Sequence, residues 1–240
     1  MLAGGAGAAG PSPPPTPAHR GPVVVELFTS QGCSSCAAAD AYFAELARRP
    51  DLIALAFHVD YWNYIGWTDP FARPWASTRQ HDYQQSLKLR FVYTPQIVVD
   101  GDAEVVGSDE SKCDALIDAA ETKPLPGNAP SLALHWRADG ALMVDVGEGP
   151  SPEGEPATLW LIGYDSAHTT KILRGENEGR TVTDYHPVRS YRRLGKWAGW
   201  SAEFIVPADQ AKTLGDGGIA VLVQERGTGP ILSAAQIAQR

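Results

Sequence analysis

The sequence is short of cysteine, of basic charge and of long apolar runs, and each shortage excludes something. Three cysteines in 240 residues rule out a scaffold held together by many disulfides. Two of them, Cys33 and Cys36, form a Cys-x-x-Cys, and nothing resembling a second such pair follows, so this pair is either redox-active or half of a metal site. Lysine and arginine total 20 against 28 aspartates and glutamates, a net charge of -8. That balance leaves no basic excess to neutralise phosphates and excludes a nucleic-acid binder. No apolar run reaches the roughly 18–20 residues a membrane helix needs, so no membrane span is expected. What is present is ample core material. Hydrophobic residues make up 43% of a chain long enough for two ordinary domains.

Residues 1–21 contain Pro11, Pro13, Pro14, Pro15 and Pro17 among glycine, alanine and serine, which reads as a disordered leader or as the tail of a secretory signal. Beyond it, Val23 to Phe28 is a β-branched strand, and Thr29 to Gly32 turns the chain into a helix beginning near Cys33. The apolar stripe of that helix is Ala39, Phe43, Leu46 and Ala47, and Pro50 ends it. Leu52 to Val59 is a second strand, parallel to the first across a right-handed crossover. A thin-faced helix follows from Pro74 to about Leu89 with Ala76, Tyr83 and Leu87 inward. Strands Gln96 to Val99 and Ala103 to Val106 then flank an Asp100-Gly101 hairpin turn. Ser108 or Asp109 caps a last helix with the stripe Cys113, Leu116, Ile117 and Ala120. The order is β-α-β-α-β-β-α over residues 22–123. Residues 124–130 hold three prolines and a glycine, a linker. Residues 131–240 read as a β-rich domain of short strands (131–136, 141–146, 158–164, 180–188, 202–206 and 219–224) with no helix between them, the pattern of an antiparallel sandwich.

Cys33 stands where a strand feeds a helix. Backbone N–H groups and the helix dipole stabilise an anion there, so Cys33 is the candidate nucleophile and Cys36, one turn on, the resolving thiol. An X-Pro bond at Thr94-Pro95 lies in a tight turn ahead of a strand, a setting in which cis isomers occur. Glu26 interrupts an apolar strand seven residues before Cys33. His58, Asp60, Trp62 and Asn63 follow the carboxyl end of the second strand, the edge that also carries Cys33. Trp67, Phe71 and Trp75 nearby read as core, while Asp60 and Trp62 are left open between core and site. Cys113, on an apolar stripe, reads as a buried inert thiol.

The element order, Cys33-Ser34-Ser35-Cys36 and Thr94-Pro95 ahead of a hairpin resemble the thioredoxin fold. By position, the resemblance makes Pro95 a cis-proline beside the cysteines and Thr94 the residue offering backbone hydrogen bonds to a substrate chain. It makes Glu26 a buried acid that moves the proton of Cys36, the alternative for that residue being an edge position facing solvent or a structural salt bridge. A wider resemblance rests on the run from Glu26 to Cys36, on His58-Val59-Asp60-Tyr61-Trp62, on Tyr93-Thr94-Pro95-Gln96 and on Gly175-Glu176-Asn177-x-Gly179-Arg180. These look like the bacterial family filed as domain of unknown function 1223, whose members are mostly held to be secreted and thioredoxin-like. Ala37, Ala38 and Ala39 replace the prolines usual after the second cysteine, which makes the helix more regular. The segment from Gly175 to Arg180 is either a binding loop or a hairpin tip.

The expectation is therefore an α/β thioredoxin-like domain followed by a mostly antiparallel β-sandwich-like domain, working as a periplasmic or secreted thiol–disulfide oxidoreductase. Its partners would be thiol- or disulfide-containing proteins or small molecules, together with a redox partner the sequence does not name, and it would need no cofactor. The alternative is a copper-binding protein in which Cys33 and Cys36 are joined by His58 or His81, since two thiolates and an imidazole suit Cu(I). A third reading is a non-catalytic binding protein with a structural disulfide, its function residing in the β-rich half.

Overall fold

The computed structural model describes residues 21–124 and 126–240, so all but the last residue of the expected leader lies outside the described residues. Strand β1, Val23–Thr29, is flanked by β2, Leu52–His58, on one side and β3, Gln96–Val99, on the other, and β4, Ala103–Val106, closes the sheet. β1 runs parallel to β2 and antiparallel to β3. The three-residue β3–β4 loop, Asp100 to Asp102, places Asp100 and Gly101 at positive φ, 49° and 67°, a conformation Asp-Gly takes readily. A side chain at Gly101 would stand 2.4 Å from the Gly229 carbonyl, so this corner is also pinned against the second half.

Alternation along β1 assigns the two faces of the sheet. Val23, Val25 and Leu27 pack under helices α1, Ala37–Leu46, and α3, Glu110–Thr122. Asp109 caps α3 by accepting from the Lys112 amide, and Cys113, Ile117 and Ala120 are its buried stripe. Val24 and Phe28 face the other way, onto helix α2, Pro74–Ser86, and onto a second sheet.

That second sheet is antiparallel, built from β7, Ala157–Tyr164, β10, Val188–Trp197, β12, Gly218–Gln224, and β13, Ile231–Ala238, in the order β10-β7-β12-β13. Its far face packs on a third sheet of β5, Leu132–Trp136, β6, Leu142–Val146, and β11, Ala202–Val206, around Trp197, Leu142 and Val144. β7 and β12 are covered on both faces, which is why they read as unbroken apolar runs. A two-stranded hairpin of β8, Ala167–Lys171, and β9, Thr181–Tyr185, stands apart. Its end is tied to the β2 edge, where the Ala56 amide donates to the His186 carbonyl at 3.0 Å.

The expected α/β thioredoxin-like class is corrected by this architecture. The chain is mostly β, 37% strand against 21% helix, with four helices and several small sheets among the described residues. The physical reason lies on the inner face of the first sheet, where a single helix shares the cover with Ile162, Ala220, Leu222 and Ala234 of another sheet. Segment 180–188 is divided between β9 and β10, and a four-residue helix α4, Ala208–Ala211, breaks the strand-only reading of the second half. β8 and β13 were not anticipated. β8 is polar after Ala167 and β13 is mostly alanine and polar, so neither carries the period-2 apolar signal.

Candidate functional site

Cys33 and Cys36 are joined in a disulfide, with Cα atoms 5.4 Å apart. Cys33 is the extended N-cap of a 3-10 turn, Ser34–Cys36, that runs directly into α1, so the sulfur sits at the opening of a helical segment as expected. The Thr94 hydroxyl points at Cys33 Sγ from 3.4 Å and itself accepts the Trp62 indole N–H at 2.8 Å. Thr94-Pro95 is a cis peptide. Trp62 thus belongs with the cysteine pair, whereas Asp60 accepts from the Ser77 hydroxyl and ties its loop to α2. Both cysteines are closed off, at 1% and 0% exposure, but Cys33 lines a cleft of about 440 Å³ between α1 and β9.

Under this turn lies a cluster of buried ionisable groups. His58 Nδ1 meets Asp69 Oδ2 at 2.7 Å, and His58 Nε2 is 3.8 Å from Asp184 Oδ1 without a hydrogen-bond partner. Burial opposes the charged imidazole, but Asp69, Asp184 and Asp40 outweigh it and hold the His58 pKa up at about 9. Burial raises Asp40 to about 7 against the opposing hydrogen bond from the Thr29 hydroxyl. Asp184 is raised as well, first by burial, while Asp69 is drawn below its ordinary value because His58 and the amides of Gln31 and Phe71 overcome its burial. Gln31 knits the cluster to the cysteine turn. Its amide N–H donates to Asp69 and its side chain donates to Asp184 at 2.7 Å and accepts from Trp67.

The loop between β8 and β9 latches the same turn. Asn177 is 5% exposed and its side-chain amide donates to the carbonyls of Gln31 at 2.9 Å and Cys33 at 3.1 Å. Sequence reasoning flagged the segment from Gly175 to Arg180 without a contact for it. Asp40, Asp69, Asp184 and Gln31 it passed over as site residues. Asp40 had a signal, since it stands four residues after Cys36 on one helix, the spacing that brings two side chains together.

Glu26 is fully buried but faces the inner side of the sheet. Arg79 Nε donates to its Oε2 at 2.5 Å, Arg79 Nη2 to its Oε1 at 2.8 Å, and the Tyr83 hydroxyl to Oε1 at 2.7 Å. Tyr191 and Gln224 complete the ring around Arg79. This network ties β1 to α2 and to the second half, and no hydrogen bond links it to the cysteines among the described residues. Phe71 is core, set edge-on to His58 at 5.4 Å between ring centres, and Trp67 and Trp75 are half-buried. Cys113 is buried beneath α3, and burial lifts its pKa to about 11, the state of an inert thiol.

For the copper reading, His58 Nδ1 is held by Asp69 at 2.7 Å, and no hydrogen bond joins its imidazole to either cysteine among the described residues. His81 is exposed on α2 with Nδ1 against the Ser77 carbonyl. Elsewhere, Asp165, His168 and Asp216 gather ligand atoms within 4.8 Å, but Asp165 already holds Arg189 and His168 through one oxygen and the Asp216 amide through the other.

Among known proteins, the family model described as protein of unknown function, DUF1223, matches residues 24–224. No curated protein matches. Among solved structures, a crystal structure of a protein from Agrobacterium tumefaciens, a structural-genomics target, is similar with a TM-score of 0.78 and 29% identity, over 92% of this chain and 96% of that one. HBP35 of Porphyromonas gingivalis shares the fold at a TM-score of 0.58 and 14% identity, over 93% of this chain and 76% of that one.

Proposed function

We propose, for a chain that belongs to the DUF1223 family of proteins of unknown function, a thiol–disulfide oxidoreductase working through Cys33 and Cys36. The observation that carries this reading is the pairing of a disulfide at a helix opening with a hydroxyl, that of Thr94, aimed at the sulfur of Cys33, which alone of the pair lines a cleft. In the oxidised protein a substrate thiolate attacks Cys33 Sγ from the cleft once the turn, closed at rest, opens to bare the sulfur. The Cys33–Cys36 bond breaks and Cys36 leaves as a thiolate. A second substrate thiolate then attacks its partner sulfur in the mixed disulfide and expels Cys33. Two electrons pass from two substrate thiols to the protein pair. Run backwards, the same steps reduce a substrate disulfide with Cys33 as attacking thiolate and Cys36 as resolver.

Proton traffic falls to Asp40. Its carboxyl lines the cleft with Cys33, stands one helical turn from Cys36, and with a pKa of about 7 both gives and takes a proton near neutrality. A pair that works as a disulfide fits an oxidising compartment, so the reading includes a periplasmic or secreted location and thiol-bearing partners there.

Cys33→Ser should abolish exchange with a small aromatic disulfide, and the wild-type reduction potential should fix the physiological direction. Wild-type exchange no faster than that of a free thiol, or a Cys33→Ser protein as active as wild type, would end the proposal.

A further inference from the structure

The β8–β9 hairpin has only two strands, so one side of β9 is unpaired among the described residues. Two ladder bonds fix which residues it offers. The Ile172 amide donates to the Arg180 carbonyl at 2.9 Å, and the His186 amide donates to the Ser166 carbonyl at 3.2 Å. With the register Thr170 to Val182 and His168 to Asp184, the even-numbered residues of β9 turn their backbone groups to β8. Thr181, Thr183 and Tyr185 therefore turn their N–H and C=O groups away from it. Residues of β9 line the cleft and residues of β8 do not, so this open edge faces the cleft.

Across from it, α1 presents Ala37, Ala41 and Ala44 at helical spacing. These are side chains too short to close the gap. Cys33 stands at the end of this trough, and the lining carries two carboxyl groups, of Asp40 and Asp184, against one guanidinium, of Arg180, in a chain of net charge -8.

We infer that the cleft takes an extended, basic segment of polypeptide as a third strand on β9, laid across the alanine face of α1 with its sulfur-bearing residue led to Cys33. A row of alternating backbone donors and acceptors is matched by an extended chain and not by a small disulfide, and short side chains opposite leave room for it. Lysine or arginine on the segment answers the carboxylates of the lining. The inference rests on the exchange reading only for the presence of a sulfur in the segment. Strand addition itself is separate.

The test is a titration of isotope-labelled protein with capped peptides, followed by amide shifts. The probes are KVKVKVS, with serine standing in for the reactive residue, its acidic counterpart EVEVEVS, and KPKPKPS, which has too few amides to pair. The first should bind and shift the amides of Thr181, Thr183 and Tyr185, and the other two should bind at least about tenfold more weakly. Thr183→Pro deletes an outward amide without touching the β8 ladder, and Ala41→Trp fills the trough from an exposed helix position. Each should weaken KVKVKVS about tenfold or more, while Thr183→Ala should not. No binding by KVKVKVS, equal binding by all three peptides, or undiminished binding to Thr183→Pro would overturn the inference. Loss of small-disulfide exchange by the wild type, with peptide binding intact, would overturn the enzymatic reading alone.

Discussion

Arg79→Met should destabilise the protein by about 3–5 kcal/mol, and adding Glu26→Leu should restore most of that. The Arg79 side chain has no exposure and holds both oxygens of a Glu26 carboxylate that is equally buried. With the guanidinium gone, Glu26 keeps the Tyr83 hydroxyl and no opposite charge, which is the costly half of a broken buried pair. Removing both ends deletes the orphan and leaves the Tyr83 hydroxyl with the Gln224 amide at 2.8 Å. Glu26 lies on β1, whereas Tyr191 and Gln224 lie on β10 and β12, so the damage should reach both halves of the chain. Urea unfolding followed by tryptophan fluorescence and by far-ultraviolet circular dichroism should therefore shift together. The folded double variant should exchange a small disulfide at the wild-type rate. A loss under about 1 kcal/mol for Arg79→Met would refute the buried-charge argument. A folded double variant without exchange activity would return Glu26 to the proton-carrying role its resemblance implied.

Four further outcomes follow from the same geometry. The His58 pKa rises from 6.5 to about 9 on folding, so its contribution, about 3 kcal/mol, is complete below pH 6.5 and is lost as pH rises through 9. Denaturation at pH 6 and pH 10 should show that fall and His58→Gln should flatten it, whereas a level wild-type profile would contradict it. Asp40 adds a decline over a lower window, between its ordinary 3.8 and about 7. Asn177→Ala removes two hydrogen bonds holding the cysteine turn and should speed reduction of the disulfide by dithiothreitol about tenfold. An unchanged rate would show that the loop is no latch. Gly163→Ala would bring a Cβ to 2.0 Å from the Leu214 carbonyl oxygen and should cost about 3 kcal/mol in thermal or chemical unfolding.

How far the sequence carries can be read from individual elements. β1, the Asp100-Gly101 turn and the α3 stripe announce themselves because β1 is an apolar run buried on both faces, the turn chemistry is local and the α3 helix is buried along one stripe. α2 forms where its thin apolar face placed it, with Ala76 and Tyr83 inward, but the rest of its buried face is polar. Its buried positions are Ala76, Arg79, Gln80 and Tyr83, a helical face half made of polar groups whose partners, Glu26 and Gln224, are 53 and 145 residues from Arg79. The class itself was misjudged for a related reason. Nothing within 22–123 shows that the inner sheet face is completed by strands beyond residue 157. The site was legible where chemistry is carried by neighbours in the chain, as at Cys33, Cys36 and Thr94-Pro95. It was illegible where Asp69, Asp184 and Asn177 arrive through the fold.

Those late arrivals bear on the second half, to which the sequence assigned no role beyond an alternative binding one. Its sheet buries Ile162, Ala220 and Leu222 against β1 and β2, and its hairpin sends Asp184 under the cysteine turn and Asn177 over it. Neither contribution is replaced by anything in residues 22–123. Cut at the linker, the first half would expose the inner face of its sheet to water and leave Gln31 without the Asp184 carboxylate. The cleft beside Cys33 would lose its β9 wall outright. The β-rich half is therefore part of the candidate site's construction, since it supplies one wall of the cleft beside Cys33.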